Sequence, residues 1–183
     1  RFGAQPNSQI CPVCTGQPGS LPVLNGEALE LAIRAGLALE GTIAERSKFD
    51  RKNHFYCDIP KNYQITQYDE PYCRGGGISL ESGRRVRLNR IHIEEDAGKP
   101  THTSGNFTLV DLNRAGVPLI ESVTEADMDN AEDAVAYVTA LREILVYVGA
   151  SSADMEKGEL RCDVNISVHP VGEAWRTKIE IKN

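Results

Sequence analysis

At 183 residues, with 40% hydrophobic and 25% charged side chains, the chain has enough apolar surface for one sizeable core, which excludes an intrinsically disordered segment. A formal net charge of −6 excludes broad, non-specific attraction to nucleic acid, so a nucleic-acid partner must be met locally. No apolar run approaches the roughly 18 residues of a membrane span and no basic start leads into an apolar stretch; the expectation is a cytoplasmic protein with no membrane contact.

Residues 1–22 are rich in Gly, Pro and Asn and read as a loop region whose one ordered feature is CPVCTGQPG. Cys11 and Cys14 form a CxxC in a chain with five cysteines. That odd number points to metal chemistry in a reducing compartment rather than to a disulfide framework, with the pair as half of a zinc site. Redox chemistry is the weaker reading, because no helix-opening pattern follows the motif to depress a thiolate pKa. From Asn25 to Gly41 the pattern turns helical, with Asn25 as cap, Leu29, Ile33 and Leu37 on one face and Gly41 as terminator. Residues 48–71 predict short strands and ordered loops, followed by a hairpin tip from Arg74 to Gly77. Between Arg85 and Glu94 the apolar alternation changes phase, from Val86 and Leu88 to Ile91 and Ile93, which predicts a bulge near Asn89.

Thr108 to Leu112 and Leu119 to Val123 read as strands joined by the turn NRAGVP. A second helix is predicted over Asn130 to Val148, with Asn130 as N-cap, Asp133 in the first turn, Val138, Leu141 and Leu145 on one face, and Gly149 past the end. Two last strands alternate Leu160, Cys162, Val164, Ile166 and Val168, then Trp175, Thr177, Ile179 and Ile181, with polar residues, each predicting one buried and one polar face; Cys162 is expected in the core. The mixture predicts an α+β fold: a largely antiparallel sheet with helices on one side.

Chemistry concentrates in HIEEDAGK, where Glu94, Glu95 and Asp96 stand side by side. Adjacent carboxylates repel unless a cation or solvent screens them, and Mg²⁺ held by one or two carboxylates leaves positions for phosphate. A solvated strand end explains the same triplet. Glu121, inside the apolar run GVPLIESV, needs a partner if its face is buried and none if it faces water. Arg161, Asp163 and Asn165 on one predicted strand and Lys178, Glu180 and Lys182 on the other combine donors and carboxylates as a nucleotide site would, or as cross-strand ion pairs do. Arg51 and Lys52 in FDRKN read as phosphate or RNA contacts, or as a solvated turn. DAGKPT lacks the glycine spacing of a P-loop and Gly75 to Gly77 lacks the dinucleotide fingerprint, so both architectures are excluded.

Five stretches in order, FDRKNHFYCDIPKNYQITQYDEP, RIHIEEDAGK, VDLNRAGVPLIESV, MEKGELRCDVNISVHPVG and TKIEIKN, resemble the B-subunit family of the tRNA-dependent aspartyl/glutamyl amidotransferases. The resemblance implies that residues 1–183 are part of a glutamine-synthetase-like catalytic cradle. It also implies a family opening strand upstream of Arg1 and helical and tail tRNA-binding domains after Asn183, so the chain reads as a fragment. The implied activity uses ATP and Mg²⁺ to phosphorylate the side-chain carboxylate of Glu or Asp misacylated on tRNA. Ammonia from the amidase A subunit then displaces phosphate, and a small C subunit links the two. On this resemblance Glu94 and Glu121 are the Mg²⁺ ligands, with Glu95 and Asp96 around them. Arg161, Asp163, Asn165, Lys178 and Lys182 line the nucleotide pocket, with Arg161 and Lys178 counted as catalytic beside Glu94; Arg51 and Lys52 meet phosphates or the acceptor end, and Cys11 and Cys14 contribute to a Zn²⁺ site. The rival expectations are a carboxylate-amine ligase acting on a free small molecule and a non-catalytic, zinc-stabilised RNA-binding module.

Overall fold

A computed structural model describes residues 3–182. Helix α1 (Gly26–Ala38) begins where the cap predicts, with Asn25 accepting hydrogen bonds from the Glu27 and Ala28 amides. Strands β1 (Thr42–Ile43), β2 (Asp50–Asn53), β3 (Tyr63–Thr66), β4 (Cys73–Arg74) and β5 (Gly77–Ser79) lead to the long β6 (Arg85–Glu95). Strands β7 (Lys99–His102), β8 (Thr108–Asp111) and β9 (Pro118–Thr124), helix α2 (Ala131–Tyr147) and the pair β10 (Val164–Ile166) and β11 (Ile179–Ile181) complete the order. Every strand pairing is antiparallel. Among the described residues no helix is long and apolar enough to cross a membrane.

Strand β6 is the spine: β9 pairs along one edge, β4 and β5 along the other, and β1 adds to β4. Its register shifts between Leu88 and Arg90, so the bulge anticipated near Asn89 is present. Both helices pack on the same apolar face, where Ala32, Leu39, Tyr137 and Leu141 meet Val86, Leu88, Ile91 and Ile93. The fold is thus α+β, with antiparallel sheets and two helices.

Several expectations are corrected. Leu37 is 60% exposed, because the surface α1 presents to the sheet is built from Ala32, Ala35 and Gly36. These small residues allow a close approach; a Cβ on Gly36 would sit 2.9 Å from Ile43 Cδ1. The left-handed residue that ends α1 is Glu40, at φ 60°, with Glu40 N donating to Leu37 O and Gly41 N to Gly36 O. Gly41 is required for space instead, since a side chain there would strike Cys73 Sγ.

Arg74 to Gly77 is not a hairpin tip. Strands β4 and β5 continue along β6 in one direction, with Gly75 and Gly76 at positive φ making a kink between them; the reversal comes at Leu80–Arg84, around Gly83. The strands predicted around 108–112 and 119–123 both form but belong to different sheets, β8 with β7 and β9 with β6. The terminal strands shrink to three residues each, exposed on both faces, because among the described residues β10 and β11 pair only with one another and no third strand joins them. Cys162 is accordingly half-buried and outside the core cluster.

Candidate active site

Beyond the bulge, Ile91 and Ile93 point into the core, so Arg90, His92 and Glu94 share the opposite face of β6. The β6–β9 register sets His92 directly opposite Glu121. His92 Nε2 lies 3.5 Å from Glu94 Oε2 and 3.6 Å from Glu121 Oε2. One ligand atom from each of the three residues falls within 4.8 Å of the others, and among the described residues no other trio of His, Cys, Asp or Glu side chains converges in this way. His92 and Glu94 are buried, while Glu121 is half exposed at the rim.

Strands β2 and β3 pair with each other, and Asp50, Thr66, Gln67 and Tyr68 from this pair and the turn after it stand beside the trio. Lys52 Nζ comes 3.5 Å from Glu94 Oε1. A cavity of about 310 Å³ results, with Arg51, Lys52 and Arg90 on its wall beside the His92–Glu94–Glu121 trio.

The trio is electrostatically polarised. Burial pushes the Glu94 carboxyl upward, but hydrogen bonds with His92 and Glu121 and the charge of Lys52 overcome it and hold Glu94 at about 2. Burial and the hydrogen bond with Glu94 push the Glu121 carboxyl up from the ordinary carboxylate range. Two hard carboxylate oxygens and one imidazole nitrogen fit a divalent cation such as Mg²⁺ or Mn²⁺, with room in the cavity for further ligands. His92 Nδ1, buried and without a hydrogen-bond partner, leaves Nε2 as the ring's interacting atom.

The family model described as "GatB/GatE catalytic domain" matches residues 1–183. The chain belongs to that family. It is 56% identical over 186 residues to the B subunit of the aspartyl/glutamyl-tRNA(Asn/Gln) amidotransferase of Persephonella marina, covering 100% of this chain and 39% of that protein. The protein of the same name from Methylacidiphilum infernorum is 52% identical over 198 residues, covering 100% of this chain and 41% of its own length. The chain therefore spans about two fifths of these relatives.

In this GatB/GatE-family chain, Glu94, Glu121, Arg51 and Lys52 from the sequence-derived set share one cavity. Glu95 points to the other side of β6, where its carboxylate accepts from Ile65 N at 2.8 Å and pairs with Lys61. Asp96 is neutralised by Arg114 at 3.2 Å and by Arg161 at 2.8 Å, which places Arg161 outside the trio's cavity. Asn165 lies in β10, and Asp163, Lys178 and Lys182 flank the terminal hairpin; Lys182 sits 3.5 Å from Glu180 and 3.9 Å from Asp163, and none of these lines the cavity.

Two further residues escaped the sequence-derived ligand set. His92 was legible in part, since strand alternation already puts it on the Glu94 face. Gln67, 1% exposed, accepts hydrogen bonds from Ile93 N at 3.0 Å and Tyr72 N at 3.3 Å and donates to Lys48 O at 3.2 Å. It occupies a strand partner's place between His92 and Glu94; a Gln amid polar residues carries no sequence signal for that role.

Cys11 and Cys14 bring their sulfurs to 3.2 Å beside a second cavity of about 220 Å³. Hydrogen bonds from the Cys14 backbone and thiol lower the Cys11 thiol pKa, while burial raises that of Cys14. A closed zinc site takes four ligands. Among the described residues no third Cys, His, Asp or Glu joins the pair at ligating distance, so the pair by itself falls short of a closed site.

Proposed function

We propose that this chain is part of the catalytic cradle of a tRNA-dependent amidotransferase, in its B subunit, with a glutamine-synthetase-like arrangement. Helical and tail domains of the longer protein would grip tRNA. The reaction is ATP-dependent activation of the side-chain carboxylate of Glu or Asp misacylated on tRNA, followed by amidation to Gln-tRNA(Gln) or Asn-tRNA(Asn). The carrying observation is the buried His92–Glu94–Glu121 trio opposed by Arg51 and Lys52 across one cavity. Full-length relatives named for this activity support the reading.

Phosphoryl transfer asks little covalent chemistry of the protein; it needs positioning and neutralisation of charge. His92, Glu94 and Glu121 would hold Mg²⁺, which draws charge from phosphoryl oxygens when bound. Lys52, with Nζ 3.5 Å from Glu94 Oε1, adds positive charge beside it. The substrate carboxylate oxygen attacks the γ-phosphorus as the bond to the bridging oxygen breaks, releasing ADP. Ammonia then attacks the acyl carbon, forming the C–N bond and expelling inorganic phosphate. Ammonia comes from the amidase A subunit, with the small C subunit linking the two in the cytoplasm. Arg161, Lys178, Asp163, Asn165 and Lys182 have no step in this scheme. The Cys11–Cys14 pair is the Zn²⁺ half-site and stands apart from the chemistry.

The test uses the full-length protein with its partners, misacylated Glu-tRNA and labelled ATP. Wild type forms ADP only with the charged tRNA, and Glu94→Gln lowers that rate by about 100-fold or more. Wild-type-like turnover in the variant would move the metal elsewhere. ADP formation that ignores tRNA would favour a ligase acting on a free small molecule.

A further inference from the structure

We infer that Arg90 is the phosphate-binding arm of this cavity, taking the polyphosphate of a bound nucleoside triphosphate opposite the carboxylate–imidazole trio. The inference rests on the nucleotide-using reading above and adds the residue that grips the ligand.

The bulge explains how Arg90 reaches the site. Up to Leu88 the even-numbered residues of β6 point into the core, with Val86 at 0% and Leu88 at 3% exposed. Unbroken alternation would drive Arg90 into the same core. The extra residue at Asn89 flips the phase, burying Ile91 and Ile93 and swinging Arg90 onto the face of His92 and Glu94. The bulge thus costs one ladder position and delivers a guanidinium to a carboxylate-lined cavity.

Among the described residues no carboxylate pairs with Arg90. Its strand neighbours Arg85 and Arg87 pair with Glu40 and Asp127. For Arg90 the contacts among the described residues are a marginal bond from Nη1 to Asn89 Oδ1 at 3.5 Å and a cation–π contact, its Cζ 5.7 Å from the Tyr68 ring centroid. Its Nε is buried and has no hydrogen-bond partner. Tyr68 is itself anchored, its amide donating to Asp50 Oδ2 at 3.1 Å. A cation–π contact with an aromatic face leaves the N–H donors of the planar fork unspent, a combination suited to an oxyanion with several acceptor oxygens. In a chain of net charge −6, a buried N–H without an acceptor and a guanidinium without a counter-ion mark the place of an anion from outside.

Phosphate oxygens could come from the nucleotide or from the tRNA backbone, and the experiment separates them. In the full-length protein assembled with its partners, a non-hydrolysable ATP analogue is titrated with Mn²⁺ present, for wild type, Arg90→Lys and Arg90→Met. Mn²⁺ binding alone is followed by electron paramagnetic resonance, and folding by thermal melting. We expect Arg90→Met to weaken the analogue by about 10- to 100-fold and Arg90→Lys to fall between, because a point charge replaces the fork. Mn²⁺ affinity without nucleotide and the KM for charged tRNA should stay within about twofold of wild type. Analogue affinity unchanged in Arg90→Met, or a loss confined to charged tRNA, overturns the assignment. Wild type that fails to bind the analogue overturns the nucleotide-using reading itself, before Arg90 is at issue.

Discussion

Glu94 and Glu95 are neighbours in the chain with opposite surroundings. Strand alternation sends Glu94 toward His92 and Glu121, while Glu95 turns to Lys61 and the Ile65 amide. The same contrast between a carboxylate poised for an outside cation and one already satisfied separates Glu121 from Asp127. Asp127 Oδ2 accepts from Arg87 N and Nε, both at 2.9 Å, and Oδ1 from Nη2 at 2.7 Å. Those hydrogen bonds hold its carboxyl below the ordinary value. A depressed folded-state pKa adds stability that is complete above the unfolded value near 4 and is lost as pH falls. Asp127→Asn should cost about 1 kcal/mol in urea unfolding at pH 7, and the difference from wild type should shrink progressively as pH falls below about 4. A difference independent of pH would refute the assigned pairing.

At the level of elements, α1 sits close to the sheet because its inner surface is small, and Gly41 and Cys73 share one tight point of that contact. Gly41→Ala should destabilise by about 1–3 kcal/mol through overpacking. In the Gly41→Ala/Cys73→Ala double variant the collision is gone, so a double-mutant cycle by urea denaturation should show a coupling of about 1 kcal/mol or more. Simple additivity would mean that the strain lies in the backbone instead. The helix caps, by contrast, were legible in single residues: Asn25 and Asn130 each accept backbone N–H groups as their side-chain chemistry predicts.

Across the whole molecule, order is concentrated where β6 meets β9, α1 and α2, and the terminal hairpin stands outside that core. Hydrogen exchange on this chain should find the Ile91 to Ile93 amides slowest, with Val164 to Ile166 and Ile179 to Ile181 exchanging at least about 100-fold faster. Equal protection would show that the hairpin is covered.

Local pattern alone determined the α+β class, both helices, the bulge near Asn89 and the Glu94 face of β6, because periodicity, capping and phase changes act over a few residues. The family likeness was equally legible, carried by motifs such as RIHIEEDAGK. Tertiary structure decided what crosses between strands: His92 opposite Glu121, Gln67 bridging to Ile93, Lys52 reaching Glu94, and Arg161 meeting Asp96 rather than the trio. It also decided that the clean alternation of the last strands buries neither face, since alternation reports the two sides of a strand and says nothing about whether another element arrives to cover one.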